Sequence, residues 1–223
     1  MPNFIFLDIG NTNTRWKYKN KYFSLPSKDF NFNKLPKSSQ IWVSSVSKLA
    51  HDLRNSCANF AHSQEKYKSL TNAYSDTKSL GSDRWLAMIA SYEISENNSF
   101  IVVDIGTAVT IDAVDRTGKH LGGLIFPGLE KTRESFDFFP VTSIRDLNGL
   151  GQSTKEGWTI GTFSIIINTI NLKIKELKIE LPDASIFITG GGYHSIYKFL
   201  EFDYAYHENL VLDGLELYAN YVG

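Results

Sequence analysis

Residues 4–13 read FIFLDIGNTN, and residues 100–109 read FIVVDIGTAV. Each is a run of four apolar residues, then Asp-Ile-Gly, then a small hydroxyl or amide residue. A short apolar run bounded by a turn signal is the pattern of a buried strand, and Asp-x-Gly closes it with a turn into the next strand. Glycine at 10 and at 106 lets the backbone pass close to a ligand, because no Cβ stands in the way. Backbone N–H groups and the hydroxyls of Thr12, Thr107 and Thr110 can then face a phosphate, while Asp8 and Asp104 hold cations beside it. One Asp-x-Gly turn is common and means little. Two copies in matching strand contexts point to a duplicated fold that grips a phosphate chain from both sides.

Outward from these two strands, the alternating stretch TRWKYKNKYFSL at 14–25 predicts a hairpin with its turn near Asn20. Residues 26–39 read as an exposed connection, IWVSSV at 41–46 as a short buried strand, and 48–61 as a helix with Leu49, Leu53, Cys57 and Phe60 inward. Residues 62–80 are polar and irregular. From Gly81, Trp85, Met88, Ile89 and Tyr92 recur at helical spacing. The second half runs through a strand at 100–104, a second strand TIDAV, a turn at 115–118 and a returning strand HLGGLIF. A helix is expected after Pro127-Gly128, a long one near 155–178, a strand with a glycine turn at 185–192 and an amphipathic helix at 209–221. Hairpins followed by helices, twice over, predict a two-lobed α/β fold with mixed sheets, residues 1–98 forming one lobe and 99–223 the other.

The 223 residues are 42% hydrophobic and 21% charged, with a net charge of −1. That composition suits a globular protein with a sizeable core, and the absence of a basic face disfavours nucleic acid as a partner. A single cysteine, Cys57, rules out an intrachain disulfide and fits a reducing, cytoplasmic setting. It reads as a packed small residue. The N-terminus lacks a signal-peptide pattern, and no apolar run approaches membrane-spanning length, so no membrane partner is expected. The five histidines, at 51, 62, 120, 194 and 207, show no metal-ligand spacing and read as surface or packing residues.

DIGNTN at 8–13, GSDRW at 81–85, DIGTAVTID at 104–112, GGLIFPG at 122–128 and TGGG at 189–192 occur in this order. Together they resemble the type III pantothenate kinases, of the acetate and sugar kinase/Hsp70/actin superfamily, over nearly the whole chain. The resemblance implies a two-lobed, duplicated ribonuclease H-like (actin-like ATPase) fold with mixed sheets. It also implies ATP-dependent phosphorylation of pantothenate, the first step towards coenzyme A. ATP-Mg, a monovalent cation (K⁺ or NH₄⁺) and a homodimer come with it; the apolar helix around Ile165–Ile174 would join the interface.

In that frame Asp8, Ile9, Gly10, Asn11, Thr12, Asn13, Thr14 and Arg15 form the first phosphate loop, with Asp8 placed to orient Mg²⁺ or its water shell. Two readings of Arg15 stand: a phosphate contact, or an exposed strand arginine paired with an acid. Gly81, Ser82, Asp83 and Arg84 open a helix whose N-terminus favours an anion, and Arg84 can bind the pantothenate carboxylate bidentately. Asp83 then lies beside the acceptor hydroxyl as general base. Alone, Ser-Asp before an apolar helix is an ordinary cap; the surrounding motifs favour the functional reading. Trp85 reads as a core anchor. Tyr74, seven residues before Gly81, matches a family tyrosine that reaches the substrate, although Thr77 replaces the family's proline.

The resemblance further places the monovalent cation at Asp104 and has Thr107 donate to ATP. Asp112, on the strand after the loop, either supports a ligand-contacting residue from behind or is a solvated or N–H-bonded strand aspartate. Thr154 matches a family threonine that contacts substrate from a neighbouring helix, with Ser153 and Gly157 departing from the family's Asn and Ala. TGGG matches the adenosine-side glycines. Three rivals stand beside this reading. One is a kinase of another small hydroxylated acid or sugar, since fold alone does not define the acceptor. Another is a non-catalytic regulator, disfavoured because Asp8 and Asp83 are both present. The third, a filament or chaperone ATPase, is disfavoured by the short chain.

Overall fold

The computed structural model describes residues 4–37, 40–45, 58–96, 98–136, 138–142 and 149–223. The first sheet contains β1 (Phe4–Ile9), β2 (Asn13–Tyr18), β3 (Lys21–Pro26), β4 (Gln40–Ser45) and β5 (Asn59–Phe60), in the order β3-β2-β1-β4-β5. A small hairpin of β6 (Lys66–Tyr67) and β7 (Leu70–Thr71) and helix α1 (Ser82–Ile94) lead to the second sheet. There, β8 (Phe100–Ile105), β9 (Ala108–Val114) and β10 (His120–Pro127) are followed by helices α2 (Leu129–Arg133) and α3 (Thr154–Glu180) and by β11 (Ser185–Thr189). Helix α4 (Tyr193–Ile196), β12 (Ala205–Tyr206) and helix α5 (Leu210–Val222) complete the chain, and the second sheet runs β10-β9-β8-β11-β12.

The two orders are one topology written twice. In each sheet the central strand is antiparallel to the next strand in sequence and parallel to the third strand after it: β1 with β2 and β4, β8 with β9 and β11. The hairpin expected near Asn20 forms with Lys19 and Asn20 both in the left-handed region (φ 47° and 57°), the geometry of a tight two-residue turn.

The layers follow from the apolar pattern. Helices α1 and α5 lie between the sheets, where Trp85, Leu86, Met88, Ile89, Leu212 and Leu215 pack with Phe6 from one sheet and Phe100, Val102 and Phe187 from the other. Helix α3 covers the far face of the second sheet, setting Phe163, Ile166, Ile170 and Ile174 against Ile101, Val103 and Ile105. Ile5, Leu7, Ile9, Trp16 and Val43 form the core on the far face of the first sheet. Strand alternation then assigns Asp104 to the side of Phe100 and Val102, and Asp8 to that of Phe6. Both carboxylates therefore end their strands on the face towards α1.

Two sequence expectations change. The helix read at 48–61 falls largely on residues 46–57, Cys57 included, outside the described residues, but its end is strand: Asn59–Phe60 pairs in parallel with β4. An edge of the sheet captures Phe60 there, and local periodicity does not register such long-range pairing. The stretch 62–80, read as irregular, contains the β6–β7 hairpin. Among the described residues no helix is long and apolar enough to cross a membrane.

Candidate active site

A cleft of about 1140 Å³ opens where both Asp-Ile-Gly turns, the first turn of α1 and the glycine turn after β11 meet. The first turn is tied by Gly10 N–H to the Asn13 carbonyl (3.1 Å), and the second by Gly106 N–H to the Ala108 carbonyl (3.0 Å). Their tips touch: Thr12 Oγ1 lies 2.8 Å from Thr107 Oγ1. Behind the first loop, Ser27 Oγ donates to the Gly10 carbonyl at 2.7 Å and sits 3.0 Å from Thr14 Oγ1. Gly190 adopts φ +95° and lies so close to Asp104 and the Ile105 carbonyl that any side chain would collide with them.

Helix α1 begins at Gly81 without a side-chain cap. Asp83 Oδ1 accepts the N–H of Arg84 (2.8 Å) in the first turn, and its carboxyl lines the cleft. Burial foremost pushes the Asp83 carboxyl above the ordinary aspartate value. Asp8 is pushed up to about 7 by burial and then by the charges of Asp83 and Asp104. Asp104 is likewise pushed up to about 7, by burial and then by Asp83. Three carboxylates so arranged attract cations. Among the described residues, however, no group of three or more His, Cys, Asp or Glu side chains forms a metal cage. A carboxylate or two beside phosphate oxygens and waters is the arrangement Mg²⁺ commonly accepts, so this donor set fits Mg²⁺ held jointly with a nucleotide.

Arg84 is buried, and its Nε and Nη2 donate to Asp112 Oδ2 and Oδ1 at 2.9 and 2.6 Å. Nη1 donates to the Tyr74 hydroxyl at 3.1 Å. Asp112, only 1% exposed, is therefore the partner of a cleft arginine rather than a solvated strand aspartate. Gly123 makes room for this pair, since a Cβ there would fall on Asp112 Oδ1 and within 2.5 Å of Arg84 Nη2. Arg15 lines the cleft, and its Nη1 donates to the Glu208 carbonyl at 2.9 Å, a main-chain acceptor that neither sequence reading named.

Of the residues singled out in sequence, the cleft brings together Asp8, Gly10, Asn11, Thr12, Asn13 and Arg15 from the first loop. It joins them to Tyr74, Gly81, Asp83 and Arg84, and to Asp104 and Thr107. Ile9 and Thr14 are buried behind the loop, and Ser82 is buried with its Oγ 3.4 Å from Ser44 Oγ. Thr154 is the exposed first residue of α3 and does not line the cleft. Arg133 and Thr159 do line it, from α2 and α3. Neither carries a local sequence signal; only the packing of α2 on α3 brings them there, with Arg133 Nε 3.4 Å from Thr162 Oγ1. His120, read as a surface or packing residue, is wholly buried and bonded to Asp112.

The model of the type III pantothenate kinase family matches residues 17–175. The type III pantothenate kinase of Hahella chejuensis is 37% identical over 169 residues, covering 73% of this chain and 68% of its own length. That of Alcanivorax borkumensis is 29% identical over 242 residues, covering 96% and 98%. Among solved structures, one from Campylobacter jejuni, described as a conserved Baf family transcriptional activator, aligns with a TM-score of 0.66 at 26% identity over 97% of each chain. The activator of the 2-hydroxyisocaproyl-CoA dehydratase from Clostridium difficile, solved with bound ADPNP, shares the fold at a TM-score of 0.50 and 10% identity, covering 98% of this chain and 95% of that one. The chain belongs to the type III pantothenate kinase family.

Proposed function

We propose that this cleft transfers the γ-phosphoryl group of ATP to the primary hydroxyl of pantothenate, the step that opens coenzyme A synthesis, with Asp83 as general base. One observation carries the assignment: consecutive residues of a helix's first turn supply a cleft carboxylate with a raised proton affinity and a guanidinium locked in place by Asp112. Arg84 offers its remaining N–H groups on Nη1 and Nη2 to the carboxylate of pantothenate, beside the Tyr74 hydroxyl. That anchor sets the acceptor hydroxyl against Asp83, which takes its proton as the phosphoryl group moves.

The phosphates lie between the two Asp-Ile-Gly turns, with Thr12 and Thr107 as donors and Arg15 as a cation at the cleft wall. Mg²⁺, when bound with ATP, supplies charge neutralisation along the phosphates. Asp8 would orient its water shell, and Asp104 would hold a monovalent cation, K⁺ or NH₄⁺; the raised proton affinity of both carboxyls supports a need for positive charge there.

The chain acts as a homodimer through α3. Ile165, Leu172 and Ile179 recur every seven residues on that helix and are 57%, 59% and 78% exposed, an apolar stripe suited to a second copy. Thr154, exposed at the start of the same helix, joins the acceptor site in the assembled dimer.

Coupled ADP release from the purified protein tests the acceptor. Turnover is expected with pantothenate and is expected to fall steeply with the analogue in which an alcohol replaces its carboxylate. Equal turnover with both would assign Arg84 elsewhere and favour a different hydroxylated acceptor.

A further inference from the structure

We propose that His120 is a positioning residue for the acceptor site, holding Asp112 and the Tyr74 loop so that Arg84 and Tyr74 face the acceptor's carboxylate together. The inference rests on the assignment of Arg84 and Tyr74 to that carboxylate.

His120 is the first residue of β10 and is 0% exposed. Its Nδ1 accepts the backbone N–H of Ala73 at 3.4 Å, so the ring proton sits on Nε2. Nε2 lies 3.0 Å from Asp112 Oδ1 and donates to it. The same oxygen accepts Arg84 Nη2, and Arg84 Nη1 continues to the Tyr74 hydroxyl. The His120 ring also stacks on Tyr74, with centroids 6.1 Å apart and planes 12° from parallel. The circuit is closed: Ala73, His120, Asp112, Arg84, Tyr74 and back along the chain to Ala73. Both faces of the acceptor site, the helix arginine and the loop tyrosine, are thereby tied to one imidazole.

The backbone is shaped for this circuit. Strand alternation would place residues 120 and 123 on opposite faces of β10. A bulge between His120 and Gly122 shifts the register, so that His120 pairs with Val114 and Gly123 with Asp112. Residues 112 and 114 share a face, so both His120 and the empty space over Gly123 come to Asp112's side. Gly122 takes the left-handed φ of +108° that the shift requires. A buried imidazole without partners would only destabilise the strand; satisfied at both nitrogens, it fixes the carboxylate that orients the guanidinium.

The test uses the full-length protein and the variants His120→Gln, His120→Asn and Arg84→Gln, with KM for pantothenate, KM for ATP, kcat and Tm measured for each. A glutamine amide reaches the place of Nε2 and can restore the bond to Asp112; an asparagine amide reaches only the place of Nδ1. His120→Asn is expected to raise KM for pantothenate about tenfold or more, the scale of a lost buried hydrogen bond to a charged group, with KM for ATP unchanged. His120→Gln should return KM for pantothenate to within about threefold of the parent on the same reasoning.

Equal losses in both KM values and in kcat for Asn and Gln alike would mark His120 as structural only and overturn the proposal. If Arg84→Gln leaves KM for pantothenate unchanged, the underlying acceptor assignment fails. If Arg84→Gln raises it and His120→Asn does not, the positioning role alone fails. Should the His120 variants not fold, ¹⁵N-histidine NMR of the unaltered protein decides. A His120 with Nε2–H that shifts on adding pantothenate supports the circuit, and one with Nδ1–H breaks it.

Discussion

Asp8 and Asp104 occupy the same place in two copies of one topology: each is the fifth residue of its sheet's central strand, and both end in a single cleft. Burial and the charge of Asp83 raise both carboxyls to about 7, and the charge of Asp104 adds to the rise at Asp8. A triphosphate entering this cleft adds negative charge to a site that already resists it, so cations must accompany it. The duplicated fold thus brings an acidic group from each sheet to one cleft.

The raised carboxyls set a pH dependence. Their stabilising contribution as neutral groups is complete below the unfolded aspartate value near 3.8 and is lost as pH rises through about 7. For the ligand-free protein, Tm is expected to fall between about pH 4 and 7 from this cause, less steeply in Asp8→Asn. Mg-ATP binding, which needs the ionised forms, should strengthen across the same window and release protons. Thermal melts and titration calorimetry between pH 4 and 8 check both; parallel slopes in parent and variant would reject the assignment.

Asp83→Asn should leave Tm and ATP affinity close to the parent while lowering kcat by about 10² to 10⁴, the usual contribution of a positioned base. Steady-state kinetics with ATP and pantothenate measure it. A variant with parental kcat would remove Asp83 from the chemistry.

Turnover should be faster in K⁺ or NH₄⁺ than in Na⁺ at equal ionic strength, and Asp104→Asn should erase the difference. Equal rates in all three salts for the unaltered protein would sink the cation site.

Gly123→Ala should separate Arg84 from Asp112, because the added methyl falls on their contact. The expected result is a rise of about tenfold or more in KM for pantothenate together with a lowered Tm, as for disruption of a buried, hydrogen-bonded ion pair. An unchanged KM would show that the pair does not orient the arginine.

The exposed stripe on α3 predicts that the protein runs at twice its 25.2 kDa chain mass in light scattering. Ile165→Glu with Leu172→Glu should return it to the monomer mass. A monomeric parent would dismiss the dimer and, with it, the proposed place of Thr154.

The sequence by itself determined the frame. The two apolar runs ending in Asp-Ile-Gly read as buried strands entering tight turns, and their recurrence near 100 pointed to the duplication seen in the matching strand orders. Each run ends in its aspartate, and the helical spacing after Gly81 put Asp83 and Arg84 in a first turn. Those are local consequences of residue type and period.

Only the tertiary structure decided what the periods leave free. Phe60 became an edge strand because β4 offered unpaired backbone groups beside it. Asp112 became the partner of Arg84, and His120 the partner of Asp112, because a bulge in β10 and the packing of α1 on β8 and β9 bring together residues 28 and 8 positions apart in sequence. Arg133 and Thr159 reached the cleft only through the contact of α2 with α3. Hydrogen bonds among buried polar groups are settled by which atoms burial leaves without water, and that is a property of the folded packing, not of any local pattern.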